Sequence, residues 1–262
     1  MRASSGLSAL LAPDEPPAVQ ALCADGASDV VLCCEHAAAR LPRALGTLGL
    51  SDTALGSHIA WDIGAGAVAR LLSQRLDAPL VLHNYSRLVI DCSRPLAAGD
   101  SIPESAEWGS IAGNAGLDAA QRALRADALF KPFHQALHEV LDARRQQRRR
   151  SLLIAIHSFT PNFRGEARPW DIGLMYGADA RLAVPVLAAL RRDERLLVGD
   201  NQPYAMEEGI DYTLPEHGQR RGIPHLGVEI RQDQVADTDA QTRWAGRLAS
   251  LLRQVANTPD IH

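Results

Sequence analysis

The stretch DVVLCCEHAAARLP, residues 29–42, indicates the fold of this chain. Its short apolar run, residues 30–34, is typical of a buried strand in a parallel or mixed sheet. Glu35 and His36 follow the run directly, so an acid and an imidazole leave the core where the strand ends. Ligands of open α/β sheets bind beyond the carboxyl ends of the strands, so we expect a candidate site there. A hydrogen-bonded histidine with no further role is the alternative interpretation of His36.

The composition and charge of the chain argue against several classes of protein. The chain has 262 residues, of which 46% are hydrophobic, which is sufficient for a substantial core. Its formal net charge of -4 gives no basic field that would attract nucleic acid. No apolar run approaches the roughly 20 residues of a membrane span, and the N-terminus lacks the pattern of a secretory signal. We therefore expect a cytoplasmic protein with no nucleic acid or membrane partner. A small molecule remains as the expected partner, which rests on the site residues and not on composition; the oligomeric state stays open.

Four cysteines occur, at positions 23, 33, 34 and 92. Cys33 and Cys34 are adjacent on the predicted strand, so their side chains should point to opposite faces of the sheet. No pair has the C-x-x-C spacing of a thiolate zinc site, and the spacing is not that of a disulfide framework. We interpret the cysteines as small buried hydrophobic residues in a reducing compartment, with a nucleophilic Cys92 as the alternative.

Predicted strands and helices alternate along the chain, without an internal repeat or a dividing linker. This alternation predicts a single three-layer α/β domain, in which helices flank a mixed, mostly parallel sheet. The domain is expected at residues 29–262, after a loose arm of residues 1–28 that is rich in Ala, Ser and Pro. We predict further strands at residues 78–83, 86–91, 151–156, 170–176, 196–198 and 224–230, and helices at residues 64–76, 117–149, 179–191 and 239–255.

Several segments interrupt this pattern. Residues 96–116 and 204–222 are rich in polar residues and turn formers, and we predict long loops there. Pro132 is expected to kink the helix at residues 117–149. The basic run that ends this helix, Arg144 to Arg150, is interpreted as a solvated helix terminus, with an anionic partner as the alternative.

Polar side chains follow several of the predicted strands. The ends concerned carry Glu35 and His36, then His157, then Glu229 and Arg231, with Asp62, Asp91 and Arg94 between them. A hydrolytic zinc site takes three protein ligands, typically imidazoles and one carboxylate, and keeps a fourth position for water. Zinc lowers the pKa of that water towards neutrality, and a nearby carboxylate accepts its proton. The residue types at these strand ends therefore favour a metal-dependent hydrolase.

Individual residues can be assigned to such a site. His36, His157 and either Asp62 or Glu35 are the candidate ligands of one divalent ion, and Glu229 is the candidate general base. Each has a structural alternative: the histidines could be hydrogen-bonded strand ends, Asp62 could cap the following helix, and Glu229 could form an ion pair.

Arginines near the same strand ends could bind a substrate carboxylate through a bidentate pair of hydrogen bonds. Arg94 and Arg231 are the main candidates, with Arg87 as a third, and an ion pair with Asp91 is the structural alternative for Arg94. His217 lies in a predicted polar loop before the last strand and is a further candidate for substrate binding. The chain has no G-x-S-x-G elbow and no Walker loop, so the usual sequence motifs of serine hydrolases and of NTPases are absent.

A family resemblance is carried by seven segments: VLCCEHAAARLP, HIAWDIGA, LVIDCSRP, IAIHSFTP, WDIGLMYG, VGDNQPYA and DYTLPEHGQRRGIPHLGVEIRQD. In their order and spacing, over residues 29–233, they resemble the N-formylglutamate amidohydrolase family. The resemblance implies a fold like that of the zinc carboxypeptidases. It also implies zinc-dependent hydrolysis of the N-formyl or a similar N-acyl amide of an acidic amino acid, such as N-formyl-L-glutamate.

The resemblance also implies roles for single residues. Zinc ligands would be His36, Asp62 and His157; the general base would be Glu229; substrate contacts would come from Arg94, Arg231 and Asn201.

The chain departs from related patterns at two places. The zinc carboxypeptidases have H-x-x-E, but Ala39 stands three residues after His36, so the third ligand must come from elsewhere in the chain. Ser93 precedes Arg94, where the family often has asparagine. Two other functions remain open: a metallohydrolase of another N-acyl amino acid or of a peptide end, and a non-catalytic protein that binds acidic metabolites.

Overall fold

The computed structural model describes residues 9–107, 109–258 and 261. Its strands are β1 Val19–Leu22, β2 Val30–Cys34, β3 Leu80–His83, β4 Ser105–Ala106, β5 Gly109–Ser110, β6 Leu152–Phe159, β7 Asn162–Phe163, β8 Glu166–Ala167, β9 Ile172–Met175, β10 Val198–Asp200 and β11 His225–Arg231. Its α-helices are α1 Asp52–Leu55, α2 Ala65–Leu76, α3 Ala119–Arg125, α4 Lys131–Gln146, α5 Ala183–Leu190, α6 Thr213–His217 and α7 Thr238–Ala256.

Seven strands form the central sheet, in the order β1-β3-β2-β6-β11-β9-β10. Four neighbouring pairs are parallel, and the pairs β1–β3 and β9–β11 are antiparallel. The short strands pair separately, β4 with β5 and β7 with β8. The prediction of a single α/β domain with a mixed, mostly parallel sheet is confirmed.

Helices cover both faces of the sheet. Leu32 and Cys34 belong to a buried cluster with side chains of α2, α5 and α7, whereas Val31 and Cys33 belong to the cluster that contains Phe133 of α4. Successive side chains of a strand point to opposite faces, so β2 contributes to both layers and the prediction for the two cysteines is confirmed. Burial of a large aliphatic or aromatic side chain contributes roughly 1.5–3 kcal/mol. The apolar run of β2 is therefore stabilised from both sides.

Three neighbouring parallel strands, β2, β6 and β11, end at the same edge in the middle of the sheet. His157 in β6 lies opposite Glu229 in β11 in the strand register. Glu35 and His36 follow β2 and emerge beside them. The topology therefore brings these four polar residues, from three segments distant in sequence, to one place.

The turn into α2 brings Asp62 to the same edge. Gly64 precedes α2 with a φ of 81°, a left-handed conformation that favours glycine. A Cβ at Gly64 would lie 2.5 Å from the carbonyl oxygen of Val235, so a larger residue does not fit. The amide of Asp62 donates to the carbonyl oxygen of His36 at 2.9 Å. Because Gly64 occupies the cap position, the alternative of Asp62 as the helix cap is wrong.

The predicted strand at residues 86–91 is wrong, because residues 87–89 form a turn. Leu88, Val89 and Ile90 are all buried, so the alternation of apolar residues does not reflect one exposed and one buried face. The hydroxyl of Ser86 accepts a hydrogen bond from the amide of Leu88 at 3.2 Å. Such local bonds from serine favour a turn over pairing in a sheet.

Part of the predicted N-terminal arm belongs to the fold. Strand β1 pairs antiparallel with β3 at one edge of the sheet, and Leu10 is only 2% exposed. The expectation of a loose arm is therefore wrong for these residues, while residues 1–8 lie outside the described part of the chain. The division of the chain between residues 28 and 29 stays a prediction. Cys23, just after β1, is exposed, unlike the other three cysteines.

The helix predicted at residues 117–149 is present as α3, a π-helical segment at Ala126–Phe130 and α4, in direct succession. Pro132 lies in the first turn of α4, directly after the π-helical segment. Proline has no amide hydrogen to donate, which explains why regular α-helical bonding is interrupted just before it.

The basic run at the end of α4 is not uniformly solvated. Arg144 is buried, and its guanidinium donates to the carbonyl oxygen of Ser28 at 2.7 Å and to the hydroxyl of Ser151 at 3.0 Å. Its donors satisfy a backbone carbonyl in the segment before β2 and a hydroxyl in the segment before β6, so the interpretation as a solvated terminus is wrong for Arg144.

Both predicted long loops contain short elements. Strands β4 and β5 lie within residues 96–116, and α6 lies within residues 204–222. Among the helices in the described part of the chain, none combines the length and apolar character needed to cross a bilayer.

Candidate active site

Two histidines and one aspartate converge at the carboxyl edge of the central strands. Asp62 Oδ2 lies 2.9 Å from His157 Nδ1 and 3.3 Å from His36 Nδ1. The two imidazole rings have centroids 5.1 Å apart. One candidate ligand atom from each of the three residues lies within 4.8 Å of the others, and all three residues are buried. The structure thus brings together the three residues whose role as metal ligands was predicted.

Each histidine has a carboxylate at its second ring nitrogen. Asp91 Oδ1 lies 2.8 Å from His36 Nε2, and Glu35 Oε2 lies 3.4 Å from His157 Nε2. A neutral imidazole carries one proton, so a proton on Nε2 that faces a carboxylate leaves the Nδ1 lone pair directed at Asp62. Two lone pairs and a carboxylate in one buried place require a positive charge between them. The donor set therefore fits a divalent metal ion.

The electrostatics of these residues point the same way. Burial alone would lower the pKa of His157, but the charge of Glu35 and the hydrogen bond with Asp62 raise it to about 10. Burial alone would raise the pKa of Asp62, but the positive charge of His36 and the hydrogen bond from His157 lower it. The surroundings thus hold positive charge strongly, which a metal ion or protonated imidazoles can supply.

Glu229 lies beside this cluster with an unused oxygen. Its residue is 6% exposed, and its Oε2 has no hydrogen-bond partner among the described residues. Burial raises the pKa of Glu229 to about 7, although the charge of His157 opposes this shift. A carboxyl group with a pKa near neutrality can both accept and return a proton, which suits general acid–base catalysis.

Arg87 contacts two carboxylates of the site. Its Nη2 lies 2.7 Å from Asp91 Oδ2, and its Nη1 lies 3.6 Å from Asp62 Oδ1. Burial would lower the pKa of Arg87, but these two carboxylates raise it, so its charge is firmly held. Arg87 thus helps to orient Asp62, a candidate metal ligand, and Asp91, which contacts the candidate ligand His36.

Arg94 is held at the other side of the site. Its Nη1 donates to the carbonyl oxygen of Ile210 at 3.2 Å and lies 3.3 Å from Asp211 Oδ1. Its Nε lies 3.6 Å from Asp100, which is largely exposed. These partners leave the guanidinium at the wall of the site.

A cavity of about 550 Å³ opens onto these groups. Its lining includes His36, Asp62, Arg87, Asp91, Arg94, His157, Tyr204 and Glu229. Residues of β4 and β7 also line the cavity, and the two pairs of short strands are joined where the amide of Arg164 donates to Glu107 Oε1 at 3.0 Å. The volume lies in the range of cavities that bind small molecules.

Three residues that were predicted to bind substrate do not line this cavity. Arg231 donates to the carbonyl oxygen of Pro169 at 2.7 Å, in the loop before β9. Asn201 accepts from the amide of Tyr176 at 2.9 Å. His217 is fully buried in α6, where its Nε2 contacts a histidine of α4 at 2.9 Å. Each of the three residues thus bonds to another part of the protein, and none of them is brought to the cavity.

Other residues of the cavity were not found from the sequence. Tyr204 lines the cavity, and its hydroxyl accepts from Arg168 at 2.8 Å. The guanidinium of Arg168 also lies over the rings of Phe163 and Tyr204, at 4.5 and 4.9 Å from their centroids. The Gly- and Arg-rich character of the segment around Phe163 was the available signal, because such segments often form binding loops.

Comparisons with known proteins agree with this picture. A family model described as N-formylglutamate amidohydrolase matches residues 28–236. The structure of gene product Atu2144 from Agrobacterium tumefaciens is 40% identical, with a TM-score of 0.91 over 94% of this chain and 98% of that chain. The structure of an N-formylglutamate amidohydrolase from Ralstonia eutropha JMP134 is 17% identical, with a TM-score of 0.70 over 92% of this chain and 98% of that chain.

A metallo-carboxypeptidase structure from Burkholderia cenocepacia aligns more distantly, at 12% identity and a TM-score of 0.40 over 93% of this chain and 66% of that chain. A search of curated proteins gives no match. The family match covers most of the chain, including every residue of the histidine and carboxylate cluster, and the Agrobacterium protein matches over nearly the whole length. The chain therefore belongs to the N-formylglutamate amidohydrolase family.

Proposed function

We propose that this protein uses a bound zinc ion to hydrolyse the N-formyl, or a similar N-acyl, amide of an acidic amino acid such as N-formyl-L-glutamate. The observation that carries the proposal is the convergence of His36, Asp62 and His157 beside Glu229, a buried carboxylate with one oxygen that has no partner in the described part of the chain. Family membership makes this chemistry the best match for that cluster.

The metal ion would be held by His36, Asp62 and His157. Two imidazoles and one carboxylate are a typical ligand set of hydrolytic zinc. Glu35, the alternative third ligand, lies instead at the outer nitrogen of His157, 3.4 Å from Nε2. That position suits a carboxylate that orients a ligand, as Asp91 does for His36. The geometry therefore favours Asp62 over Glu35 as the third ligand.

A zinc ion at this place would activate a water molecule and polarise the amide carbonyl of the substrate. Glu229 would accept a proton from the attacking water and pass it to the nitrogen of the leaving amine. The raised pKa of Glu229, about 7, suits both transfers at neutral pH. Amide cleavage then releases the acyl group as a carboxylate and the amino acid as a free amine.

Arg94 would bind a carboxylate of the substrate. Its guanidinium lies in the cavity wall and contacts Asp211 at 3.3 Å, a contact that a substrate carboxylate could replace. We do not assign this role to Arg231, Asn201 or His217, because they do not line the cavity. Arg87 lines it, but its charge is shared between Asp91 and Asp62.

A larger acyl group is a second candidate for the part of the substrate that is released. The cavity of about 550 Å³ lies in the range that accommodates drug-sized ligands, whereas N-formylglutamate is a much smaller molecule. The rim also offers apolar surface at Phe163 and Tyr204. Activity should therefore be compared across N-acyl derivatives of glutamate with acyl groups of increasing size.

The direct test is to load the purified full chain with zinc and measure formate release from N-formyl-L-glutamate. His157→Ala should abolish zinc binding and activity, whereas Arg145→Ala, an exposed position at the end of α4, should change neither. Full activity in His157→Ala, or in the presence of a strong chelator, would contradict the metal-dependent mechanism. Ligand-induced stabilisation of the wild type without turnover of any N-acyl amino acid would favour the non-catalytic binding protein.

A further inference from the structure

A buried pair of histidines lies behind the cavity wall, outside the cluster described above. His134 belongs to α4 and His217 belongs to α6, and both are largely or fully buried. His217 Nε2 lies 2.9 Å from His134 Nδ1, and the planes of the two rings are nearly parallel, at 11°, with centroids 5.2 Å apart. The remaining nitrogen of His134, Nε2, lies 3.0 Å from the carbonyl oxygen of Cys92. The pair therefore forms a chain that ends on the backbone of Cys92.

The direction of these hydrogen bonds follows from the groups involved. A carbonyl oxygen only accepts, so His134 must carry a proton on Nε2 and donate to Cys92. In its neutral form His134 then has a lone pair on Nδ1, which accepts from Nε2 of His217. Both rings are thus neutral and carry their proton on Nε2.

The opposite arrangement is unfavourable. If His134 were doubly protonated, its Nδ1 would donate to His217 Nε2, and the proton of His217 would move to Nδ1. That nitrogen is buried and has no hydrogen-bond partner among the described residues. The alternative would therefore combine a buried charge with a buried donor that has no acceptor. Burial indeed lowers the pKa of His134, to about 3, and also lowers that of His217.

The charged groups near the histidine pair also favour the neutral form of both rings. His138 contacts the ring of His217 edge-on, with centroids 4.4 Å apart, and its Nδ1 faces the guanidinium of Arg221. Arg221 in turn contacts Asp142 at 2.6 Å. The nearest cation thus opposes protonation of His217, and the nearby carboxylate is occupied by Arg221.

The histidine pair holds a backbone segment that carries two side chains of the proposed site, Asp91 and Arg94. Cys92 lies between Asp91, whose carboxylate contacts His36, and the segment Ser93-Arg94 that reaches the cavity. The carbonyl oxygen of Cys92 also accepts from the hydroxyl of Thr213 at 3.3 Å, so both donors to it come from the α4–α6 side.

Two further contacts join the same two segments. The amide of Tyr212 donates to the carbonyl oxygen of Ser93 at 2.8 Å. Arg94 donates to the carbonyl oxygen of Ile210 and contacts Asp211. Residues 210–217 and 91–94 therefore meet along a continuous set of hydrogen bonds, with the histidine pair at its buried end.

We propose that His134 and His217 are positioning residues that set the place of Arg94, and of Asp91 beside it, by fixing the carbonyl group of Cys92. The role of Arg94 in substrate binding rests on the function proposed above; the hydrogen-bond chain itself does not. His217 thus acts on the substrate site from behind the cavity wall, without touching the substrate.

The first test examines the hydrogen bonds of the histidine pair directly and does not depend on enzyme activity. Two-bond ¹H–¹⁵N correlation spectra of the histidine rings, recorded near pH 7, should show both His134 and His217 as neutral tautomers protonated on Nε2. Signals are assigned with His134→Gln and His217→Gln. A proton on Nδ1 of either ring, or a doubly protonated ring, overturns the proposed chain.

The second test measures the effect on Arg94. In His217→Leu the donor to His134 is lost, so we expect KM for N-formyl-L-glutamate to rise about tenfold, equivalent to one lost hydrogen bond, with a smaller change in kcat. His217→Gln keeps a donor at the position of Nε2 and should fall between the leucine variant and the wild type. Gln135→Ala, exposed beside His134 on α4, is the matched control and should leave KM unchanged.

Crystal structures keep the proposal testable if the protein hydrolyses none of these substrates. In His217→Leu, or in His134→Leu if that variant fails to fold, the Cys92 carbonyl should turn and the contact between Arg94 and the carbonyl oxygen of Ile210 should lengthen. An unchanged contact in a folded variant overturns the positioning role, whatever the activity. Absence of turnover in the wild type, with the displacement present, would instead contradict only the proposed function.

Discussion

Glu229 is buried, its Oε2 has no hydrogen-bond partner among the residues that the structure describes, and it lies opposite His157 in the strand register. Replacing it with glutamine keeps the shape of the side chain but removes the proton acceptor. We expect Glu229→Gln to lower kcat by about 10²–10⁴-fold while zinc remains bound, because general bases contribute that much. Steady-state kinetics with measurement of bound zinc checks this. A kcat within threefold of the wild type would exclude Glu229 as the base.

The burial of Glu229 also leads to a prediction about the stability of the metal-free protein. Folding raises the pKa of Glu229 from 4.5 to about 7, so the folded state binds the proton more tightly than the unfolded state. The buried charge therefore destabilises the protein fully above pH 7, and this effect disappears as the pH falls below 4.5. In the presence of a chelator, Glu229→Gln should therefore stabilise the protein more at pH 8 than at pH 4. The difference between the two changes in the free energy of unfolding should be up to about 3 kcal/mol.

Urea unfolding at the two pH values measures this difference directly. An equal effect of Glu229→Gln at pH 8 and pH 4 would show that the carboxylate is not destabilised by its burial. Arg145→Ala, at an exposed position, serves as the control and should show no pH-dependent difference.

Glu35 makes a separate prediction about metal affinity. Its Oε2 lies 3.4 Å from the outer nitrogen of His157, so it can orient this ring and increase its basicity. Glu35→Gln should weaken zinc binding by about 10–100-fold, the usual effect of losing such a partner. Competition with a fluorescent chelator gives the dissociation constant. If Glu35→Gln removed zinc binding altogether, as His157→Ala should, Glu35 would have to be a direct ligand.

The sequence pointed to residues that converge at the candidate site, but it did not reveal their hydrogen-bond partners. His36, His157 and Glu229 were predicted because the ends of neighbouring parallel strands meet at one edge of a sheet. The pairing of His36 with Asp91 joins residues far apart in the chain and depends on the turn at residues 87–89, which no local pattern revealed. His217 was assigned to a polar loop, although it lies in a buried helix.

Helix α4 ends on a buried arginine that links it to two strands of the sheet. Arg144 donates to the backbone before β2 and to Ser151 before β6. Arg144→Ala leaves these buried acceptors without a donor, so we expect a loss of about 3 kcal/mol in the free energy of unfolding. The neighbouring Arg145→Ala, at an exposed position, should change it by less than about 0.5 kcal/mol. Equal effects of the two substitutions in urea unfolding would contradict the structural role of Arg144.

Elements with a clear hydrophobic period were predicted well, and those set by local hydrogen bonds were not. Strand β2 and helices α2 and α7 follow the expected periodicity and lie close to the predicted bounds. The turn at residues 87–89 has a strand-like pattern because all its apolar side chains are buried, so alternation carried no information there. Strand β1 was missed because its partner β3 lies more than 50 residues further along the chain.

For the molecule as a whole, metal binding should be coupled to stability. The proposed ligands come from segments after β2, before α2 and within β6, so the ion would join three parts of the chain that separate on unfolding. Free zinc at a hundred times its Kd should stabilise the protein by about 2.7 kcal/mol. Thermal unfolding with and without zinc measures this. A similar gain in His157→Ala would mean that zinc binds elsewhere.

Strand β11 comes last in sequence among the seven strands of the central sheet, yet it occupies an interior place between β6 and β9. A ribosome must therefore synthesise the other six strands of the central sheet before β11 can fill its place, and Glu229 arrives with that closing strand. Until then the gap between β6 and β9 exposes two open strand edges, so the nascent chain should depend on chaperones. Catalytic competence would consequently be acquired in one late step, after the polypeptide leaves the exit tunnel.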